Sequence, residues 1–324
     1  MGNYKLNNVS LENYGVIPIQ SSDTNLAITG AWDMPGRLGK THHDWQNDRD
    51  GIEPYVLAEE IRFGGIDINL NALVKGRDKN DALRKTYTFY DHLRVSGVLS
   101  CDWGSWTVLV KDQIRGVYKG DGYAQIEVPF RCPVVPMPTT LPINILTYQP
   151  TLDSDGRIIL VNGAPLYSSI RKYDGLGIDG VGFDSLGLII TSIEDQFSRS
   201  APKGGEVTSY RTEGYRSSTL KEREITINAA IMQPTYAAFL QIVDGLKALF
   251  AKPGLRYITR KHDALRDFFV KDGFQVTGVR VNDGQVVAFL KVKLIEVNAF
   301  LDWGLLTNTQ AQLIDTDLGN IIIT

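Results

Sequence analysis

Gly39-Lys40-Thr41 closes the stretch Met34–Thr41 as a phosphate-cradling loop closes, with a lysine for phosphate oxygens and a hydroxyl for magnesium. That loop requires a glycine five residues before Gly39, and Met34 stands there. It also requires a strand before and a helix after, whereas Trp45–Glu53 is polar and turn-rich. The phosphate reading therefore fails. His42, His43, Asp44 and His92 are metal-ligating types. Adjacent histidines point to opposite sides of a strand, and the spacing matches no zinc signature, so a loop contact accounts for them. Asp153-Ser154-Asp155-Gly156 begins like a calcium loop. It lacks the third acidic position and the closing glutamate, and reads as a turn. Glu59 and Glu60 fall at a strand start, where a solvated edge explains them. No serine or cysteine occupies a nucleophile elbow. Cys101 and Cys132 form no CxxC pair and no disulfide framework; beside apolar stretches they read as buried, reduced thiols. No acid–base or nucleophile constellation survives, so the expectation is a non-enzymatic protein with no metal and no cofactor.

The remaining polar residues suit recognition. Gly30–Tyr55 is long and charged and carries Trp32, Arg37, His42, His43, Trp45 and Tyr55. A stretch of this length without regular patterning is usually functional or disordered. Tryptophan and arginine are enriched where proteins meet proteins. Asp195–Arg216 is similar in character and carries Arg199, Tyr210, Arg211, Tyr215 and Arg216. Both stretches read as arms that reach neighbouring subunits. The last segment, 299–324, holds Trp303 and ends close to Ile321-Ile322-Ile323. An exposed apolar strand of that kind is an edge liability unless it pairs, so the segment reads as a docking element.

These stretches are positioned by elements that occur twice. Val9–Ile19 and Val181–Thr191 share one pattern: apolar, small, bulky, acidic, polar, bulky, glycine, then an apolar run. Next comes a strictly alternating strand. Ile66, Ile68, Leu70 and Ala72 form one face, and Ile225, Ile227, Ala229 and Ile231 form the corresponding face. Period two with one apolar face is a half-buried strand. Each strand runs into a helix. The first is expected over 80–94, with Asn80 as N-cap and Leu83, Tyr87, Tyr90 and Leu93 on one face. The second is expected over 235–251, with Thr235 as N-cap and Phe239, Ile242, Val243, Leu246 and Phe250 on one face. Asp91-His92-Leu93 aligns with Asp244-Gly245-Leu246. Val110-Lys111-Asp112 then matches Val270-Lys271-Asp272, and Gly116-Val117 matches Gly278-Val279. The hairpin turns at Asp121-Gly122 and Asp283-Gly284 carry a strong turn signal. The closing strands align Ile126, Val128 and Phe130 with Leu290, Val292 and Leu294. Between the copies, Pro133, Pro136, Pro138, Pro142 and Pro150 mark an extended linker, followed by a short hairpin over 157–163.

Of the 324 residues, 43% are hydrophobic and 22% charged, enough for two cores without disulfides or metals. A formal net charge of -3 argues against tight general binding to nucleic acid or anionic membrane. The start of the chain lacks the apolar core of a signal peptide, and no run is long enough to span a membrane. Leu6 stands where a myristoylation signal needs Ser or Thr. Asn8-Val9-Ser10 fits a glycosylation acceptor, which has no bearing without secretion.

With these landmarks in order, the unit resembles the tail-tube-like domain of tailed-phage distal tail proteins. The carrying residues are Ile28–Trp32, the loop Pro35-Gly36-Arg37-Leu38-Gly39, the long strand over 60–74, the helix after it, and the hairpin at Asp121-Gly122. The resemblance implies an α+β, β-dominated fold: two tandem tail-tube-like domains, each a β-sandwich or barrel-like sheet with one packed helix. The expected boundaries are 1–132 for the first domain, 133–172 for the linker, 173–298 for the second domain and 299–324 for the docking segment. It further implies a virion protein of the tail tip, assembled in the host cytoplasm with no membrane anchor. Such a protein forms a ring that passes DNA without sequence-specific binding. The expected partners are further copies of itself (three chains with pseudo-sixfold symmetry, or six), the tail tube protein, and baseplate hub or receptor-binding proteins. Many family members carry a different second domain, so the repeat also fits a tail tube or hub protein. A second hypothesis is a carbohydrate-binding or adhesion module that stacks sugars on Trp103, Trp106 and Trp303.

Overall fold

The computed structural model describes residues 3–21, 23–39, 60–138, 176–178, 181–183, 186–194, 223–253 and 273–296. It also describes the turn 154–155 and the strand pieces 42–44, 52–54, 160–161, 164–165, 202–203, 206–208, 213–215, 219–220, 256–259 and 266–269. The fold is α+β and β-dominated, with two α-helices among the described residues.

The first sheet is built from β1 (Lys5–Leu6), β2 (Val9–Ser10), β3 (Val16–Pro18), β4 (Ile28–Thr29), β5 (Ile66–Lys75), β6 (Gly97–Cys101), β7 (Gly104–Val110), β8 (Arg115–Gly120) and β9 (Tyr123–Cys132), with α1 (Lys79–His92) between β5 and β6. The second contains β10 (Gly177–Ile178), β11 (Val181–Gly182), β12 (Leu188–Glu194), β13 (Arg223–Gln233), β14 (Arg256–Thr259), β15 (Arg266–Phe269), β16 (Gln275–Asn282) and β17 (Gln285–Glu296), with α2 (Tyr236–Ala251) after β13.

The strand order is β2-β1-β6-β7-β9-β5-β3 in the first sheet, with β8 on β9 and β4 on β5. It is β11-β10-β14-β15-β17-β13-β12 in the second, with β16 on β17. The two orders are the same connectivity; among the described residues β4 has no counterpart. Local details repeat as well. The Leu11 N–H donates to the Tyr4 carbonyl at 3.1 Å, and the Phe183 N–H to the Leu176 carbonyl at 2.9 Å. Gly15 and Gly187 hold φ of 73° and 79°, a left-handed bend that a side chain resists, just before β3 and β12.

Alternation puts Ile66, Ile68, Leu70, Ala72 and Val74 into the core of the first unit and Ile225, Ile227, Ala229 and Ile231 into that of the second. Ile126, Val128 and Phe130 pair with Ala72, Leu70 and Ile68. Leu290, Val292 and Leu294 pair with Ala229, Ile227 and Ile225, the equivalence expected for the closing strands. The long strands align two residues away from the expected offset: Val16 lies opposite Val74, and Leu188 opposite Ile231. A slip of two keeps every side chain on its face, so period alone could not detect it.

Several local expectations are corrected. Asp78, not Asn80, caps α1 and accepts from the Asp81 N–H at 2.9 Å. Thr235 caps α2 as expected. Counted from these caps, Phe89 rather than Leu93 corresponds to Leu246. The inward face of α1 is Ala82, Thr86 and Phe89, with Leu93 at its end; Leu83 and Tyr90 are half-buried and Tyr87 is exposed. Gly116 pairs opposite Ile126, whereas Gly278 sits in a bulge between Thr277 and Arg280, so those glycines do not correspond. Val270–Asp272 lies outside the described residues. In the linker, Leu160–Val161 pairs with Ala164–Pro165.

Candidate assembly interface

One contiguous apolar cluster runs through both units. Its seam is made by residues 24–37, which take in the start of Gly30–Tyr55, the stretch read as an arm. These residues lie along the outer edge of β16, whose backbone groups would otherwise be unpaired. Asn25 donates from Nδ2 to the Val281 carbonyl at 2.7 Å and accepts the Val281 N–H on Oδ1 at 2.9 Å. The Thr24 hydroxyl donates to the Val279 carbonyl. Asp33 Oδ1 accepts the Val276 N–H at 2.7 Å, and the Met34 N–H donates to the Phe274 carbonyl at 2.9 Å. A strand edge is thus satisfied by an irregular segment through alternate side-chain and backbone contacts. The approach is close enough that a Cβ on Gly273 would come 1.9 Å from the Met34 carbonyl oxygen, so only glycine fits there.

Trp32 is 3% exposed. Its indole N–H donates to the Tyr236 hydroxyl at 2.9 Å, and that hydroxyl donates to the Trp103 carbonyl. Its ring packs edge-on against Trp106 (6.4 Å between centroids) and Phe239 (6.2 Å). Burial pushes the Tyr236 hydroxyl up to about 12, so it remains a donor. Arg37 donates from Nη2 to the carbonyls of Phe250 (3.2 Å) and Lys252 (2.7 Å), at the C-terminal end of α2. A cation there meets the negative end of the helix dipole. Burial and the neighbouring Arg256 both lower the Arg37 pKa.

Two ionisable groups sit deep in the seam. Burial raises Asp33 to about 6, against the lowering effects of the Val276 N–H and Lys247. Burial lowers Lys247, against Asp244 and Asp33. Asp67 differs: burial opposes ionisation, yet hydrogen bonds from Lys111 (2.6 Å) and Arg131 (2.7 Å) keep its pKa below the ordinary value. A groove of about 570 Å³ opens beside the seam, lined by Trp103, Trp106, Val135, Tyr236, Leu240 and Lys247 among others.

The arm reading is therefore redistributed. Trp32 and Arg37 bind the two halves of the chain together and are not free to reach another subunit. His42 and His43 stand on a strand, His42–Asp44, paired with Ile52–Pro54 in a two-stranded hairpin. In the second stretch, Pro202–Lys203 pairs with Thr219–Leu220, and Glu206–Thr208 with Glu213–Tyr215, which places Tyr215 on a strand. Trp45, Tyr55, Arg199, Tyr210, Arg211, Arg216, Trp303, Ile321, Ile322 and Ile323 lie outside the described residues.

Thr24, Asn25, Asp33 and Tyr236 were not singled out from sequence. One signal was available. Tyr236–Ala251 is apolar nearly all round, and such a helix is buried on more than one side. In the structure Phe239, Val243, Leu246, Lys247, Ala248, Leu249 and Phe250 are all buried.

No protein-family model matches the chain, and no curated protein matches it. Among solved structures it is similar to the SPP1 Dit (gp 19.1) protein, titled a paradigm of the hub adsorption apparatus in phages infecting Gram-positive hosts. The identity is 7% and the TM-score 0.29, over 91% of this chain and 98% of that one. A likeness at that level assigns this chain no function by itself.

Proposed function

We propose that this chain is a non-enzymatic structural protein of a phage tail tip, forming a ring around a DNA channel that joins the tail tube to the hub or receptor-binding apparatus. The observation that carries this reading is the use of one sheet connectivity twice in a single chain, the two units meeting through unlike surfaces on one core. Such packing of like units is heterologous, and heterologous contacts close into rings when the rotation per unit permits. Each chain then supplies two sectors. Three chains make a pseudo-sixfold ring, and six make a ring of six or two stacked tiers. The order of landmarks shared with distal tail proteins gives the ring its setting; a tail tube or hub protein is the near variant of the same reading.

Light scattering and negative-stain imaging of the purified chain test this. The expected result is a species of three or six chains with an open centre. A monomer at every concentration counts against it.

A carbohydrate-binding reading has one observation in its favour: Trp103 and Trp106 line an open groove, and the buried Trp103 indole N–H has no partner among the described residues. Against it, both rings are half-buried and engaged edge-on by Tyr236 and Trp32. Quenching of tryptophan fluorescence by added oligosaccharide would favour it.

A further inference from the structure

We infer that the outer face of α1 and the free edge of β8 together form the socket for a second copy of this chain, and that this socket is filled by the second unit of the neighbour. The inference rests on the ring reading and names the surfaces that would close it.

The reasoning starts from the internal seam. In the second unit, β16 has its outer edge covered by residues 24–34 of the first, and α2 turns Tyr236, Leu240, Asp244 and Lys247 towards the same partner. Val276 and Val279 of β16 are buried there. The first unit has the same two elements in the same connection. Its β8 is exposed along Arg115, Gly116, Val117, Tyr118 and Lys119. Val117, in the middle of that edge, is 56% exposed.

The helix repeats the contrast. Counted from the caps Asp78 and Thr235, the α2 residues Leu240, Asp244 and Lys247 correspond to Leu83, Tyr87 and Tyr90 of α1. These are apolar residues that sequence patterning places on one face. In the structure Leu83 is half-buried, Tyr90 is half-buried against the edge of the core, and Tyr87 is 63% exposed. Its ring lies edge-on to Tyr90 at 6.1 Å. The two elements form one surface: a Cβ on Gly116 would lie 3.1 Å from the Tyr90 hydroxyl, and the Lys79 ammonium sits 5.6 Å from the Tyr118 ring centre. An exposed aromatic pair beside an exposed strand edge marks an interaction site.

The occupant follows from the repeat. The first unit fills the second unit's socket with the stretch after β3 and with Trp103, from the turn between β6 and β7. The second unit of a neighbouring chain, built on the same sheet connectivity, would meet α1 and β8 as the first unit meets α2 and β16. The alternation is then first unit, second unit, first unit of the next chain.

The test replaces Tyr87 with the photoreactive p-benzoylphenylalanine in the full chain, and separately makes Tyr87→Asp combined with Val117→Lys. Both positions are exposed, so the unfolding midpoint of the dilute monomer should not move. The expected outcome is a light-dependent chain-to-chain cross-link to peptides of the second unit, within 176–296, and at least a tenfold loss of assembly in the double variant. Unchanged assembly of the double variant, or cross-links to other segments, overturns this inference and leaves the ring reading standing. A native chain that stays monomeric removes both.

Discussion

Asn25 and Val281 are joined by two hydrogen bonds, the side-chain amide of one matching both backbone groups of the other at 2.7 and 2.9 Å. The two residues are 256 positions apart. Asn25 therefore acts as one residue of a missing strand, closing the edge of β16 where no regular partner exists. Only the primary amide carries donor and acceptor in the right order for this.

Asn25→Ala should destabilise the chain by about 1–3 kcal/mol, because a partly buried donor and acceptor on Val281 lose their partner. Asn25→Asp should do no better, since its second oxygen would face the Val281 carbonyl. Thermal unfolding near neutral pH reads both, and a variant as stable as the parent would show that water replaces the amide.

Trp32→Ala should cost roughly 3–5 kcal/mol, the usual range for deleting a large buried aromatic side chain. Trp32→Phe should cost less but more than its volume implies, because the Tyr236 hydroxyl loses the indole donor. Denaturant titration separates the two. A single cooperative transition for native and variant alike is expected if the units share one core.

Arg37→Leu should loosen the last turn of α2, since the carbonyls of Phe250 and Lys252 lose their donor. Amide exchange over Ala248–Ala251 should accelerate several-fold, with exchange in α1 unchanged. Arg37→Lys should restore only part of the protection, because an ammonium lacks the planar fork.

Asp33 sets a pH dependence. Its folded pKa, raised to about 6, lies above the ordinary 3.8, so the folded state holds a proton that the unfolded state has released. Its contribution is then fully present below about pH 4 and is lost as pH rises through about 6, on the order of 2–3 kcal/mol. Asp33→Asn keeps an oxygen for the Val276 N–H and should flatten the stability profile between pH 4 and 6. An unchanged slope in that window would locate the titration elsewhere.

The sequence by itself determined the repeated unit: two alternating strands, each feeding a helix, and two Asp-Gly hairpins whose closing strands correspond residue for residue as expected. Period-two alternation and turn chemistry are local properties, so they are legible without a fold. It also pointed to Gly30–Tyr55 as a stretch with a role, through Trp32 and Arg37. Which partner that stretch binds was decided only by the tertiary structure. A tryptophan suited to a neighbouring molecule and one suited to the other half of its own chain look alike in sequence, because both bury an aromatic ring and satisfy one N–H. What covers the apolar face of α1 was not legible for the same reason. Leu83, Tyr87 and Tyr90 are as apolar as core residues, and periodicity reports that a face is apolar without saying what covers it. Long-range placement, here Asn25 on Val281 and Arg37 on the end of α2, depends on how two finished units dock, and no local pattern encodes that.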